Sequence, residues 1–454
     1  MTTLIAMAVP AWAEELVLSN VTFTPGQMEL TTILGDDIEQ DLAVKLTRDG
    51  KPATGKKVYF NIVETPSKSK NHHLNKREVV TGADGTARDT FSHGSKEGTY
   101  LMEAFVPDAK NSPVIFKVVV RKRGWLFFLI ASLLGGTAVF LFGMKIMSDS
   151  MQEMGGSKLA QVLAKFTSNR FSALLVGTLV TALIQSSSAT TVMVVGLING
   201  GVMQFTQSIG IILGANIGTT ITAQIVAFKL ADYALMFIFV GFIMSVAAKS
   251  SKTKKIGKII LGFGILFFGI KIMSDITQPL RTYQPFIALM LKLENPVLGV
   301  IVGAIFTTMI QSSSAATGVY IALSFQGLMT LEAAIPLIFG ANIGTSTTAL
   351  LASIGGSREA KRAAICHTLF NMMKVVVFLP VISWYRDLVF QMSPHPVGAT
   401  DLYTLEEIAR YAPRQIANAH TLAKIIAVAA ALPFTQYLAK LVRYIIPEKE
   451  DEKS

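Results

Sequence analysis

The sequence predicts an α-helical polytopic membrane protein with inverted repeats and re-entrant hairpins, preceded by a small all-β sandwich domain. Three observations carry this. Hydrophobic residues make up 51% of the 454 positions and charged residues only 16%, whereas ordinary soluble domains carry about 25% charged residues. Uninterrupted apolar runs at 125–142 and 233–248 approach the length of about 20 residues that crosses a bilayer. A polar motif, QSSS, stands twice inside apolar sequence, at 185–188 and 311–314.

Taken in order, residues 1–13, MTTLIAMAVPAWA, end in Ala11-Trp12-Ala13. That resembles a signal-peptidase site, so cleavage before Glu14 is expected, although the apolar stretch is short and a basic start is missing. Residues 14–120 read as an extracytoplasmic β domain. Short runs such as LAVKLTRDG, KKVYFNIVE, TYLMEAFVP and VIFKVVV are rich in β-branched and aromatic residues, and turn material (RDGKPATG, GADGTA) separates them. This is the pattern of a sandwich, and the segment resembles bacterial immunoglobulin-like domains. His72 and His73 read as a solvated loop pair, because no third ligand stands at metal-site spacing. Residues 121–446 form the transmembrane domain. Spans are expected near 125–147, 207–228, 233–248, 363–384 and 417–438, and the QSSS segment at 172–200 reads as two apolar arms around a polar tip. Residues 447–454 form a cytoplasmic tail. A single cysteine, Cys366, leaves no internal disulfide framework and no cysteine-rich metal site.

The membrane part repeats itself. Displaced by 126 positions, LFGMKIMSD at Leu141 falls on FFGIKIMSD at Phe267, and ILGANIGTTITA at Ile212 falls on IFGANIGTSTTA at Ile338. No gap is needed from 141 to 228. Between 177 and 228, 22 of 52 positions are identical to their mates. Apolar composition produces some matches by itself, but not polar ones such as Gln185 with Gln311 or Asn216 with Asn342. Repeat 1 occupies about 133–248 and repeat 2 about 259–385.

An odd number of crossings separates the two repeats. The first span, the second and the third each cross once, while the QSSS hairpin leaves on the side it entered. The repeats are therefore antiparallel in the membrane. Charge checks this. The stretches KSSKTKKIGK (249–258) and SREAKR (357–362) both fall inside when the β domain is outside, as the positive-inside rule requires. RKR at 121–123 is the exception, and a long exported domain translocates despite flanking charge. The net charge of +11 is thus explained by topology, not by nucleic acid.

Inverted repeats with broken polar helices are the architecture of secondary transporters. A serine run at the end of a hairpin arm leaves backbone N–H groups without helical partners, and these together with the helix dipole attract an anion. Serine hydroxyls and the glutamine amide add donors and acceptors. The exposed carbonyls and hydroxyls suit a hard cation such as sodium. In GANIGT, glycines permit an interrupted helix, while Asn and Thr supply oxygens.

Paired QSSS motifs, each followed by GANIGT, resemble the type II sodium–phosphate cotransporter family over about 133–438. The resemblance implies a symporter that imports inorganic phosphate with sodium as coupling ion, by alternating access, in the bacterial cytoplasmic membrane, with no cofactor. By the family pattern Gln185, Ser186, Ser187, Ser188, Gln311, Ser312, Ser313 and Ser314 help to form the phosphate and sodium sites. Asn216, Thr219, Asn342 and Thr345 complete them. How sodium is shared among these residues is open, as are the oligomeric state (a homodimer is one option) and the β domain's partner.

Other readings stand beside this one. Hydroxyls and helix ends suit sulfate, arsenate or a carboxylate equally well, so only the resemblance favours phosphate. A membrane-anchored binding protein would have no use for paired polar tips. No paired acids, metal triad or nucleophile–base set in the membrane region suggests an enzyme. Lys145 and Lys271 read as snorkelling cations at span ends, and Glu332 as interfacial. His367, Asn371 and Lys374 read as packed or hydrogen-bonded polar residues, with a proton relay through the histidine as the alternative. The methionines read as packing or lipid-facing residues.

Overall fold

The computed structural model describes residues 15–22, 29–36, 39–167, 169–396 and 404–448. The expected signal peptide and residues 449–454 of the expected tail lie outside these. Two compact units make up the chain, residues 1–128 and 129–454.

The first unit is a two-sheet sandwich. Its strands are β1 (Leu16–Asn20), β2 (Leu30–Ile33), β3 (Gln40–Arg48), β4 (Lys51–Pro52), β5 (Lys57–Glu64), β6 (His73–Leu74), β7 (Glu78–Val80), β8 (Thr86–Ser92), β9 (Gly98–Phe105) and β10 (Val114–Arg121). One sheet runs β1-β3-β8-β6, with β4 paired to β3; the other runs β2-β10-β9-β5-β7. Alternation puts every second side chain inside. Tyr100, Met102 and Ala104 of β9 lie beside Phe116, Val118 and Val120 of the neighbouring β10 on the inner face of one sheet, in a core completed by Leu18, Val44, Phe60 and Phe91. In the turn before β8, the Thr86 hydroxyl and N–H donate to Asp84, holding its carboxyl below the usual range. The histidine pair departs from expectation. His73 opens β6 and is exposed, whereas His72 is half-buried with its ring 6.2 Å from that of Tyr100.

The second unit is helical. Repeat 1 comprises α1 (Trp125–Gly155), which starts in the first unit, then α2 (Ser157–Lys165), α3 (Arg170–Ile184), α4 (Ser187–Asn199), α5 (Phe205–Gly218), α6 (Thr220–Val226) and α7 (Ala234–Ala247). Repeat 2 gives α8 (Ser251–Thr277), α9 (Gln284–Leu293), α10 (Pro296–Ile310), α11 (Ser313–Ser324), α12 (Leu331–Ala352) and α13 (Arg358–Phe378). Then follow α14 (Ile382–Gln391), α15 (Leu405–Ala431) and α16 (Thr435–Ile445). Among the described residues six helical segments are long and apolar enough to cross a membrane. The arms α3, α4, α10 and α11 have 15, 13, 15 and 12 residues. At 1.5 Å per residue none reaches by itself across a hydrocarbon core of about 30 Å, and because the tips of the two pairs meet at Ser188 and Gln311 each pair forms a hairpin that enters and returns.

The contact between α1 and α8 fixes how the repeats are related. A Cβ on Gly143 would lie 2.3 Å from Leu266 N, and one on Gly269 would lie 2.4 Å from Phe140 N. Gly269 is the mate of Gly143, and Leu266 the mate of Phe140, so the contact is isologous and implies a twofold axis. Gly136 meets Met273 while its mate Gly262 meets Met147, which repeats the relation. Since 136 meets 273 and 143 meets 266, the two helices run antiparallel. Mates that cross the membrane in opposite directions are inverted.

GANIGT departs from expectation. α12 runs unbroken through Gly340 and Gly344, and α5 passes to α6 through Thr219, itself in helical conformation. The glycines serve close packing instead. A Cβ on Gly214 would stand 2.1 Å from Leu174 O, and one on Gly340 would stand 2.0 Å from Val300 O. The first arm of each hairpin thus lies directly on the long helix that follows, as small residues allow in membranes.

Candidate functional site: the two hairpin corners

Each hairpin turns on its glutamine. Gln185 has φ 62° and Gln311 φ 61°, the left-handed region, and each N–H closes the preceding helix onto Thr181 O (2.7 Å) or Thr307 O (2.6 Å). The next residue is extended and caps the returning helix. Ser186 Oγ accepts from Ala189 N at 3.1 Å, and Ser312 Oγ from Ala315 N at 3.2 Å. Serine is a preferred cap for this reason. The helices α4 and α11 therefore begin at Ser187 and Ser313, with their first-turn N–H groups at the corner. The hydroxyls of Ser187, Ser313 and Ser314 make no hydrogen bond among the described residues, so they remain available to a ligand.

The corners meet. Ser188 Oγ donates to the Gln311 carbonyl at 3.4 Å, and the Thr348 hydroxyl stands 3.2 Å from Ser188 Oγ. The two glutamines differ in setting. Gln185 is buried, its Oε1 accepting from Thr222 at 2.8 Å and its Nε2 donating to Ala182 O. Gln311 is exposed. Thr222 and Thr348 are repeat mates, and their recurrence at the 126 offset is the signal that would have added them to the site.

Asn216 and Asn342 are buried on α5 and α12, each tied to its own helix through Nδ2, to Ile212 O (3.1 Å) and Ile338 O (3.0 Å). Thr219 and Thr345 donate to Ala215 O (2.8 Å) and Ala341 O (2.9 Å). The hydroxyl protons of Thr219 and Thr345 are thus committed and leave their oxygens as acceptors, whereas each asparagine amide keeps a second N–H to donate. α13 reaches both repeats. Lys374 Nζ donates to Asn216 Oδ1 at 3.1 Å, and Asn371 Nδ2 to Ser346 Oγ at 2.9 Å. Lys145 and Lys271 depart from expectation: they stand inside α1 and α8 rather than at the ends, paired with Asp149 (2.9 Å) and with Asp232 (3.5 Å). Glu332 lies in the first turn of α12, after its cap Thr330. A cleft of about 330 Å³ between α13, α15 and α16 has Lys374 as its one charged lining residue. Its walls are otherwise apolar and offer an ion little.

Residues 139–275 and 284–390, which contain both corners, match the family model described as Na+/Pi-cotransporter. The chain belongs to this family. Among its relatives, the uncharacterized protein YqeW of Bacillus subtilis (strain 168) is 29% identical over 311 residues, 68% of this chain and 96% of the relative. The putative inorganic phosphate export protein YjbB of Salmonella typhimurium is 25% identical over 320 residues, 70% of this chain but only 56% of the relative. The human sodium-dependent phosphate transport protein 2B is 35% identical over 150 residues, 30% of this chain and 22% of that protein. As a Na+/Pi-cotransporter family member the chain is a multi-pass membrane transporter, not an enzyme.

Proposed function

We propose that this Na+/Pi-cotransporter family member is a symporter that imports inorganic phosphate with sodium, by alternating access, across a bacterial cytoplasmic membrane. The observation that carries the reading is the meeting of the corners at Ser188 and Gln311. Two helix N-termini rich in hydroxyls suit an oxyanion, and a carbonyl beside hydroxyl oxygens suits sodium. Inversion supports alternation. Swapping the conformations of two inverted repeats exchanges the side from which the site opens, and Gln185 buried against Gln311 exposed is an asymmetry of that kind.

The test is uptake of labelled phosphate by proteoliposomes under imposed sodium gradients. Phosphate should follow an inward sodium gradient and stop when sodium is replaced by choline. Export is the second reading, favoured by the Salmonella relative, a putative inorganic phosphate export protein. Phosphate movement indifferent to sodium would support export and end the symport reading.

A further inference from the structure

The helices α13 and α15 bury an unusual set of side chains. Lys374 and Lys424 are 4% and 2% exposed, and His367 and His420 are 2% and 0% exposed. His367 and Lys374 stand two turns apart on one face of α13, His420 and Lys424 one turn apart on one face of α15, and both helices pack against α5, which carries Asn216. Among the described residues neither lysine pairs with a carboxylate, and Lys424 makes no hydrogen bond. Both ring nitrogens of His420, Nδ1 of His367 and Oδ1 of Asn371 are buried without a partner. Burying charge without a counter-charge is costly, and an ionisable residue inside a membrane span marks function by default. The cluster offers ammonium and imidazole donors, so what complements it is an anion rich in acceptors. A sodium ion would be repelled.

We propose that Lys374, Lys424, His367 and His420 form the cationic wall of an oxyanion site beside Asn216, which takes the negative charge of the transported ion. This rests on the phosphate reading above and assigns the two ions to different places. The anion's charge faces α13 and α15, while sodium keeps to the oxygens around Ser188 and Gln311. Lys374 joins the two through its bond to Asn216. A doubly charged oxyanion matches two ammonium groups better than chloride does.

The test is thermal unfolding of the purified full-length protein against inorganic phosphate, sulfate or chloride, in sodium, alongside uptake. Phosphate should raise the melting temperature of the wild type. Lys424→Met should fold, melt no lower than wild type without ligand because an uncompensated charge is gone, and need about 10- to 100-fold more phosphate for the same effect. Lys424→Arg keeps the charge and should restore most of the affinity. Should Lys424→Met not fold, Lys374→Met and His420→Phe carry the comparison. Phosphate midpoints within twofold of wild type in the folded variants would overturn the proposal. If sulfate stabilises the wild type where phosphate does not, and Lys424→Met loses that effect, the phosphate reading falls and the cationic wall stands.

Discussion

The left-handed corner is the decisive feature at the scale of single residues. A non-glycine residue pays roughly 1–2 kcal/mol to stand there, and glycine is the usual occupant. Glutamine at both corners means that the amide is kept against a backbone preference, and such strain points to function. Gln311→Gly, at the exposed corner, should therefore leave the protein as stable as wild type or up to about 1 kcal/mol more stable, while phosphate uptake falls. Gln185→Ala leaves the buried Thr222 hydroxyl without its acceptor at about 1–3 kcal/mol, or roughly 5- to 150-fold in apparent affinity. Ser208, which donates to Phe205 O within its own helix and has Ala334 as its mate, is the control. Ser208→Ala should transport normally. Normal transport by both glutamine variants would move the site elsewhere. The motif was legible because polar residues do not recur in apolar sequence by composition alone. The left-handed glutamine at that polar tip was not, because glutamine gives no turn signal. Nor was the bond from Lys374 to Asn216 across 158 positions. His367 and Lys374 have Gly241 and Ala248 as mates, so the repeat that exposed the corners passes over the cationic cluster.

At the scale of elements, each hairpin is held by glycines rather than loosened by them. Reading GANIGT as a helix break followed from glycine's low helix propensity; between membrane helices, close approach outweighs it. A Cβ at Gly340 meets the Val300 carbonyl, and backbone cannot give way as a flexible side chain can. Gly340→Ala should cost about 1–3 kcal/mol, the range for overpacking, and displace the α10 arm that ends at Gln311. Gly196 of α4 has nothing within 4 Å of its added Cβ. Gly196→Ala should stabilise by up to about 1 kcal/mol. Thermal unfolding of the two variants checks this, and equal effects would remove the packing argument. The first hairpin, with arms Arg170–Ile184 and Ser187–Asn199, lies within two residues of the expected 172–200, and the caps Asn169 and Asn295 open both hairpins at the repeat offset.

At the scale of the whole molecule, the β domain takes no part in the repeat, so its deletion behind a working signal sequence (residues 14–119) should leave sodium-driven uptake measurable. Complete loss in a protein that still inserts would make the domain part of the pathway. Lys255 donates to Glu153 O at 2.9 Å, so the lysine-rich loop sits at the C-terminal end of α1. α2, nine residues and about 14 Å long, cannot carry the chain across, so the base of the first hairpin shares that face. At this base Asn199 Oδ1 accepts from Ser357 N at 2.8 Å, bringing the second basic loop alongside. Arg358 and Arg362 reach the carbonyls of Pro447 and Ile446 and gather the C-terminal end of α16 there too. At the opposite end Asp232 meets Lys271. By the positive-inside rule the first face is expected to be cytoplasmic; the first hairpin would then enter from inside, the second from outside, with their corners meeting between. In a Cys366→Ala background, single cysteines replacing Lys252 and Lys361 should react with a membrane-impermeant maleimide only after the cells are opened. One replacing Lys229, in the turn before Asp232, should react in intact cells. Labelling of Lys252 and Lys361 positions from opposite sides would break the twofold relation between the repeats, and with it the reason for expecting two corners to share one ion pathway.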